Sequence, residues 1–384
     1  MKKKFVTSMD FLFHTYSDLV HKLFEHYAKT FPKQQRDAPA VWRATIRAMA
    51  CDTARGLLPA ATKSNVGIFG TGQAYESLLL RMRASPLGEA RDYSSLMLTE
   101  LRKVIPAFLK RVDQPERGVI WSQYLTETAS NTEEIAARLE SSPQNTPEVT
   151  LVDWDPDAEL KIAAAALYSS SDLPDAQLRA IGESMSTEER SQIIKAYVGQ
   201  RVNRRHRPGR AMERSSYRFD IVLDFGSFRD LQRHRMLTIE WQRFGTSLGY
   251  NIPDGINEIG ETEKWDEAMS RAADLHSLLN KTQGANVAQY AVPFGYKIRF
   301  VIQMNARQAF HLLELRSSRQ GHSDYRRVSQ HMHRLIRDKA GHKALAASME
   351  FVDHEQYRLS RLESERKSEA RRASLEVRKS ADPD

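Results

Sequence analysis

The chain has 384 residues, of which 41% are hydrophobic and 28% charged, and it carries a net charge of +8. This composition is typical of a globular protein of two or three domains, and no apolar run reaches the roughly 18 residues of a membrane span. The chain starts without a signal-peptide pattern, so we expect a cytoplasmic protein with no membrane partner. A single cysteine, Cys51, excludes a disulfide framework. The positive charge favours anionic partners without choosing among nucleic acids, nucleotides and cofactors.

Apolar residues at helical spacing dominate the first third of the chain. They predict helices over residues 9–31, 38–58, 73–83 and 89–112. The stripe of the last of these consists of Leu96, Leu101, Val104, Ile105 and Phe108. A stretch rich in Ser, Asn and Thr follows, and it predicts a linker over residues 138–147.

The pattern changes after this linker. Residues 148–154 and 217–226 predict strands, because apolar residues alternate there with polar ones. Helices are predicted again over residues 228–248, 262–280, 305–317 and 322–337. The last part of the chain, residues 346–384, predicts a charged tail that is helical or disordered.

Two segments of the chain repeat each other at a constant offset of 234 residues. Residues 54–79 align without gaps to residues 288–313. The identical pairs include Ala54/Ala288, Pro59/Pro293, Lys63/Lys297, Ile68/Ile302, Leu78/Leu312 and Leu79/Leu313. The shared register indicates two diverged copies of one structural unit.

Three contiguous cations, Arg233, His234 and Arg235, form the first candidate binding motif. Guanidinium groups present paired donors that fit phosphate oxygens. If the segment is helical, neighbouring side chains point about 100° apart, so the three would grip different parts of a large anion. The alternative is an amphipathic helix with a basic face.

Residues 303–327 form the second candidate motif. Arg307 and His311 are four residues apart and share a helix face, whereas Arg316 points to the opposite side. Asn305 precedes the helix, where its amide would cap the helix or reach a ligand ring. The alternative here is a capped amphipathic helix with surface cations. His322, His331 and His333 lack the spacing of metal ligands, and no metal site is predicted.

Together these motifs resemble the flavin-dependent thymidylate synthases (ThyX type). That family carries RHR followed, after seven residues, by serine, and a downstream ARxxLP…NAR…LR block. Here RHR is 233–235, and the block reads AQYAVP…NAR…LR between Ala288 and Arg316. The resemblance covers residues 148–340, with a second, weaker match over residues 38–112.

The resemblance implies an enzyme that converts dUMP, or a related pyrimidine nucleotide, to dTMP with FAD, NADPH and methylenetetrahydrofolate. It implies FAD binding by Arg233, His234, Arg235, Asn305, Arg307 and His311. The nucleotide would contact Arg233, Arg316, Arg55 and Gln289, with Arg316 as the catalytic residue that activates the uracil. It also implies a homo-oligomer, which for a tandem chain would be a dimer.

Each copy departs from the family pattern in a different place. Arg243 stands where the serine is expected, and Gln289 replaces the arginine of ARxxLP. The first copy keeps that arginine as Arg55, in ARGLLP, but has no NAR. We therefore hypothesise a composite site in which Arg55 completes a pocket built by the second copy.

The predicted fold is α/β (α+β) and mostly helical, with two ThyX-like units. The first unit, residues 1–137, is an incomplete helical repeat. The second, residues 148–345, is a strand–helix portion with a helical bundle that binds FAD and nucleotide.

Two other functions stay open. One is a degenerate homologue that binds FAD or nucleotide without catalysis. The other is a nucleic-acid-binding protein that uses the basic residues 201–210 and the tail, although that loop lacks interleaved aromatic residues.

Overall fold

A computed structural model describes residues 1–35 and 37–356. The predicted tail from residue 357 onward lies outside the described residues. No helix among the described residues combines the length and apolar character that crossing a membrane requires.

The described chain is mostly helical and contains one antiparallel sheet, which confirms the predicted fold class. The helices are α1 Lys2–Thr30, α2 Pro39–Ala54, α3 Gly72–Arg83, α4 Gly88–Arg102, α5 Pro106–Leu109, α6 Ile120–Ala136, α7 Ala158–Tyr168, α8 Asp175–Ser184, α9 Thr187–Val198, α10 Phe225–Leu231, α11 Asp254–Glu258, α12 Thr262–Gln283, α13 Ala285–Ala288, α14 Ala306–Arg316, α15 Ser323–Asp338 and α16 Lys343–Ser348. The strands are β1 Val149–Trp154, β2 Tyr217–Asp224, β3 Thr238–Trp241 and β4 Lys297–Met304.

The sheet has the strand order β1-β2-β4-β3, and each neighbouring pair is antiparallel. Along β2 and β4, alternate side chains such as Phe219, Ile221, Phe300 and Ile302 are buried in one core. α14 and α15 contribute their apolar faces to the same core. Because α14 begins two residues after β4 ends, the sheet fixes where the helix of the second candidate motif starts.

Three sequence predictions of local structure are wrong. The helix predicted over 228–248 ends at Leu231, because Thr238–Trp241 pairs as β3 with the edge of β4. The helix predicted over 89–112 is interrupted before Pro106, since proline cannot donate a helical hydrogen bond. Its predicted stripe is also wrong, because Leu96, Val104 and Phe108 are exposed.

The chain divides into two compact units. One contains Met1–Ala60, Thr146–Ser277 and the chain from Gln289 onward. The other contains Ala61–Asn145 and Leu278–Ala288. These units do not follow the boundaries of the predicted repeats, which remain a prediction about the origin of the chain. The predicted linker lies between the end of α6 and the start of β1.

Corresponding structural elements begin at the same offset of 234 residues. α3 begins at Gly72 and α14 at Ala306, and short 3₁₀ turns occupy Arg55–Leu57 and Gln289–Ala291. The helix caps match as well. Thr71 caps α3 by accepting from the backbone N–H of Ala74, and Asn305 caps α14 by accepting from that of Gln308.

Within the first compact unit, the two copies of the repeated segment pair with each other. Pro59 and Pro293, which are repeat partners, form an antiparallel bridge. Phe294 N–H donates to Leu58 O over 2.9 Å, and Ala60 N–H donates to Val292 O over 2.9 Å. Phe294 is the repeat partner of Ala60, and Leu58 is the repeat partner of Val292. The two bonds are therefore equivalent, and the pairing has local two-fold symmetry.

A close approach of two glycines supports this pairing. Gly295 N–H donates to Gly56 O over 2.7 Å. A Cβ on Gly56 would lie 2.8 Å from Cη2 of Trp265 and 3.3 Å from Cα of Gly295. Trp265 is almost fully buried, with 1% of it exposed.

We expect Gly56→Ala to lower the free energy of unfolding by about 1–3 kcal/mol, because the added methyl group overpacks this contact. Gly245→Ala is the control, since its Cβ would meet nothing within 4 Å. Urea unfolding of both variants measures the difference. An equal effect of the two substitutions would show that the approach at Gly56 is not tight.

Candidate functional site

The triplet of cations lies in a turn, not on a helix. β2 leads into the short helix α10, which Asp224 caps by accepting from the N–H of Ser227 over 2.8 Å. α10 ends at Leu231, and the chain turns before β3 begins. The turn directs His234 inward, where 7% of it is exposed, and leaves Arg233 and Arg235 exposed. The helical geometry expected for the triplet is therefore wrong.

His234 is the centre of a hydrogen-bonded group. Nε of Arg316 donates to Nε2 of His234 over 2.9 Å, and the amide of Gln308 lies 3.2 Å from Nδ1. An arginine can only donate, so Nε2 must carry the lone pair. In a neutral ring the hydrogen then lies on Nδ1, which faces the side-chain amide of Gln308.

The surroundings keep this histidine neutral. Burial, followed by the charges of Arg316, His311 and Arg233, lowers the pKa of His234 to about 3. The ring of His311 lies 5.2 Å from that of His234, centroid to centroid. At neutral pH the motif therefore carries two arginine charges and an uncharged imidazole.

Asp230 connects the triplet to α14. It pairs with Arg233, three residues along, and its Oδ1 lies 3.6 Å from Nη1 of Arg316. The guanidinium of Arg316 also lies 5.5 Å from the ring centroid of Tyr325. One carboxylate thus offsets part of the positive charge that two guanidinium groups concentrate here.

The basic loop 201–210 is anchored to α14 by a buried ion pair. Arg201 donates two hydrogen bonds of 2.6 Å to the carboxylate of Glu314, and both side chains are almost fully buried. The guanidinium lies 5.2 Å from the ring centroid of Phe310 and 5.0 Å from that of Phe351. Removing one member of such a pair typically costs about 3–5 kcal/mol, so the loop is held firmly.

Arg307 and His311 lie on the side of α14 that meets this loop. Arg307 donates to the carbonyl of Pro208 over 3.0 Å and pairs with Glu213 at 2.9 Å. The pKa of His311 is lowered by burial and then by the charges of Arg207 and Arg204. Arg316 bonds to His234, whose ring lies 5.2 Å from that of His311, so Arg316 and His311 share one region and the separation predicted from their spacing is wrong.

Two of the predicted ligand-binding amides are used inside the protein. The side-chain oxygen of Asn305 accepts from the N–H of Gln308 over 2.9 Å as the helix cap. Gln289 accepts from the N–H of Phe244 over 3.1 Å. Both amides therefore stabilise the backbone that surrounds the predicted site.

Arg55 lies at the opposite end of α10 from the triplet. Its Nε would be 3.5 Å from a Cβ on Gly226, at the first turn of α10. The triplet follows the last turn, about 10 Å farther along a seven-residue helix.

The groups around Arg55 are buried, and burial raises the pKa of Asp224. It lowers that of His322, as does the nearby charge of Arg55. Three buried polar atoms at this end have no hydrogen-bond partner: Arg55 Nη2, Asp224 Oδ2 and Ser227 Oγ.

The three histidines considered for metal binding have other roles or positions. His322 caps α15, and His333 contacts the carbonyl of Ala346 and the ring of His354. His331 is half-buried on α15. Among residues 1–35 and 37–356, no group of three possible ligands could hold a metal ion.

Sequence patterns alone missed the acidic and amide partners of the site. Asp230 could have been found as the residue three before Arg233, a spacing that favours an ion pair. Glu314 could have been found as a single acidic residue among leucines, because a carboxylate buried in an apolar helix face needs a cation as its partner. No sequence pattern pointed to Gln308, since its role depends on how closely α14 approaches the turn that carries His234.

The neutral His234 generates a pH-dependence of stability. Its folded pKa lies below the ordinary value of 6.5, so below that pH the unfolded chain binds more protons and stability falls. Between pH 7 and pH 5 we expect the free energy of unfolding to fall by about 2 kcal/mol more in the original chain than in the His234→Gln variant. His14→Gln, an exposed change on α1, is the control. Denaturant unfolding at both pH values measures this, and equal losses would contradict a buried neutral ring.

The thymidylate synthase complementing protein family model matches residues 1–107 and 150–341. The UPF0159 protein of Chlamydia muridarum (strain MoPn / Nigg) is 36% identical over 372 residues, which span 96% of this chain and 70% of that protein. A flavin-dependent thymidylate synthase of Geobacter sulfurreducens is 24% identical over 195 residues, 48% of this chain and 79% of that protein.

Among solved structures, thymidylate synthase X of Helicobacter pylori with FAD and dUMP has a TM-score of 0.38 and 21% identity. The alignment covers 53% of this chain and 99% of that one. The family match spans well over half of the chain and includes both stretches in which the repeated motifs were found. The predicted resemblance is thereby confirmed: the chain belongs to the thymidylate synthase complementing protein family.

Proposed function

We propose that this protein is a flavin-dependent enzyme that methylates a pyrimidine nucleotide, converting dUMP to dTMP with FAD, NADPH and methylenetetrahydrofolate. The observation that carries the proposal is the group formed by Arg316, His234 and Gln308. It joins the two motifs of the family, 82 residues apart, through a 2.9 Å hydrogen bond. Family membership and the printed name of the Geobacter relative, a flavin-dependent thymidylate synthase, support the choice of a flavin cofactor and of thymidylate synthesis.

The charges at the site fit a ligand that carries several phosphates. Arg233 and Arg235 are exposed, and Arg55 has a buried Nη2 without a hydrogen-bond partner. Guanidinium groups of this kind match phosphate oxygens in geometry and charge. We assign FAD to Arg233, Arg235, Arg307 and His311 but not to His234, because both ring nitrogens of His234 already face Arg316 and Gln308. In Asn305 and Gln289 the amide oxygen already accepts a backbone N–H, so a ligand would contact each amide through its NH2 donors.

Arg316 is the residue that we propose to act on the pyrimidine. It is mostly buried, and its Nε is oriented by a neutral histidine that cannot repel it. Its remaining N–H groups can donate to a uracil carbonyl and draw electron density from the ring. The reduced flavin, when bound, would supply the hydride. His234 is a positioning residue in this scheme, because it acts through Arg316.

A catalytically inactive binder remains a second candidate. Asp230 already offsets charge at Arg233 and Arg316, and Arg307 is paired with Glu213. A nucleic-acid role is less well supported, because Arg201 of the basic loop is buried in its pair with Glu314. We further propose that the chain forms a homodimer, because the resemblance to ThyX implies an assembly of four units and each tandem chain supplies two.

Flavin binding is the first test. We expect the purified protein to acquire flavin absorbance with FAD and to oxidise NADPH faster when dUMP is present. Arg235→Ala should weaken FAD binding about tenfold, because it removes an exposed cation of the triplet. Arg179→Ala, an exposed change on α8, is the control.

These outcomes separate the candidates. Absence of flavin binding would refute both the enzyme and the inactive flavoprotein. Flavin binding with no response to dUMP would leave the inactive binder. Unchanged FAD affinity in Arg235→Ala would remove the triplet from the proposed cofactor site. DNA binding that falls steeply with salt, in the absence of flavin binding, would support the nucleic-acid role.

Asp230 gives a second prediction. Asp230→Asn keeps the shape of the side chain and leaves the charges of Arg233 and Arg316 uncompensated. We expect it to raise the affinity for dUMP about threefold to tenfold at low ionic strength, with a smaller gain at high salt. Asp175→Asn is the control, because that carboxylate pairs only loosely, at 3.9 Å, with exposed Arg214. Calorimetric titration measures both, and weaker binding by Asp230→Asn would mean that the carboxylate positions the arginines.

A further inference from the structure

The basic loop 201–210 is fixed at both ends. Besides its buried ion pair with α14, Arg201 donates from Nε to the carbonyl of His206 over 2.6 Å. Near the other end, Nε of Arg307 donates to the carbonyl of Pro208 over 3.0 Å. The loop backbone between these two contacts is therefore held in place against α14.

The arginines of this loop fall into two groups. At its ends, Arg201 and Arg210 each pair with a glutamate, at 2.6 Å and 3.2 Å. Between them, Arg204, Arg205 and Arg207 are exposed, and no carboxylate in the described part of the chain pairs with them. Like charges this close in sequence repel one another, and the anchored backbone limits how far they can separate. The middle of the loop therefore presents uncompensated positive charge.

Two of these charges lie on the side of α14 that carries His311. Burial lowers the pKa of His311, and the charges of Arg207 and Arg204 are the next largest causes. Both act more strongly on this ring than Arg316 does. Because the influence of a charge falls with distance, the two loop arginines lie close to His311. The loop thus adds positive charge directly beside the proposed cofactor site.

We propose that Arg204 and Arg207 bind a terminal nucleotide phosphate, which in the proposed reaction is the 2′-phosphate of NADPH. A phosphate monoester carries about two negative charges at neutral pH and presents free oxygens that match guanidinium donors. The phosphates of FAD form a bridge with no terminal group, and dUMP has Arg55 and Arg316 as its proposed partners. In dinucleotide-binding proteins, a nearby arginine accommodates the 2′-phosphate. The choice of NADPH rests on the proposed function.

Calorimetric titration of the full chain with NADPH and with NADH tests the inference. We expect NADPH to bind at least about tenfold more tightly, because only NADPH offers the 2′-phosphate. The double variant Arg204→Gln/Arg207→Gln should lose this preference while its affinity for NADH stays unchanged. Arg210→Gln is the matched control, since that exposed arginine of the same loop already pairs with Glu213. All three substitutions change exposed side chains, and circular dichroism checks that the variants retain the fold.

The titration needs no catalysis, so it separates this inference from the proposed function. Flavin absorbance of the same samples reports on the proposed function. A preference for NADPH that depends on the loop, in a protein that binds no flavin, would support the phosphate site and refute the proposed enzyme. Flavin binding together with equal affinities for NADPH and NADH would overturn the inference about the loop alone.

Three further results would overturn the inference. Retention of the NADPH preference by the double variant would place the 2′-phosphate elsewhere. Weaker binding of FAD or dUMP by the double variant, with its NADPH preference unchanged, would assign the loop to those ligands. Binding of single-stranded DNA that falls steeply with salt and is lost in the double variant, without a preference for NADPH, would assign the loop to nucleic acid.

Discussion

The antiparallel pairing of residues 56–60 with residues 292–295 fixes the geometry of the candidate site. On one side, it holds Arg55 against the first turn of α10. On the other, it leads directly into β4 and then α14, which carries Gln308 and Arg316. The pairing requires two glycines whose backbones approach closely under the ring of Trp265. Segments more than 230 residues apart in sequence thereby position groups at both ends of one short helix.

Electrostatic compensation explains how a turn with three contiguous cations is compatible with a packed structure. Burial would be most costly for a charged His234, and the ring avoids this cost by staying neutral and accepting from Arg316. Asp230 offsets the charges of both neighbouring arginines. Glu314 and Glu213 do the same for the basic loop. The site is thus a balanced network that leaves Arg233 and Arg235 open to solvent.

The sequence predicted the helices α1, α2, α3, α12, α14 and α15, because these depend on local spacing, and it revealed the repeat through a constant offset. It also located Arg316 and His234 through their family motifs. It did not predict β3, whose short TIEW run becomes a strand only because the edge of β4 is there to pair with it. For Asn305 both roles, helix cap and ligand contact, were predicted, whereas the role of Gln289 was hidden, since the same amide can bind a ligand or a backbone N–H. Only the positions of Gln308 and Phe244 decide between those partners.

The repeat also bears on ligand stoichiometry. At the offset of 234, each polar residue of α14 near His234 corresponds to a residue of α3. These counterparts are Ala74 for Gln308, Ser77 for His311 and Met82 for Arg316. The first copy thus keeps the cap and the apolar face of the helix but none of the side chains that surround His234. Its helix preserves the architecture, and the side chains proposed for the chemistry lie only on its counterpart. A tandem chain of this kind should therefore bind one equivalent of ligand per polypeptide, half of what two intact copies would bind.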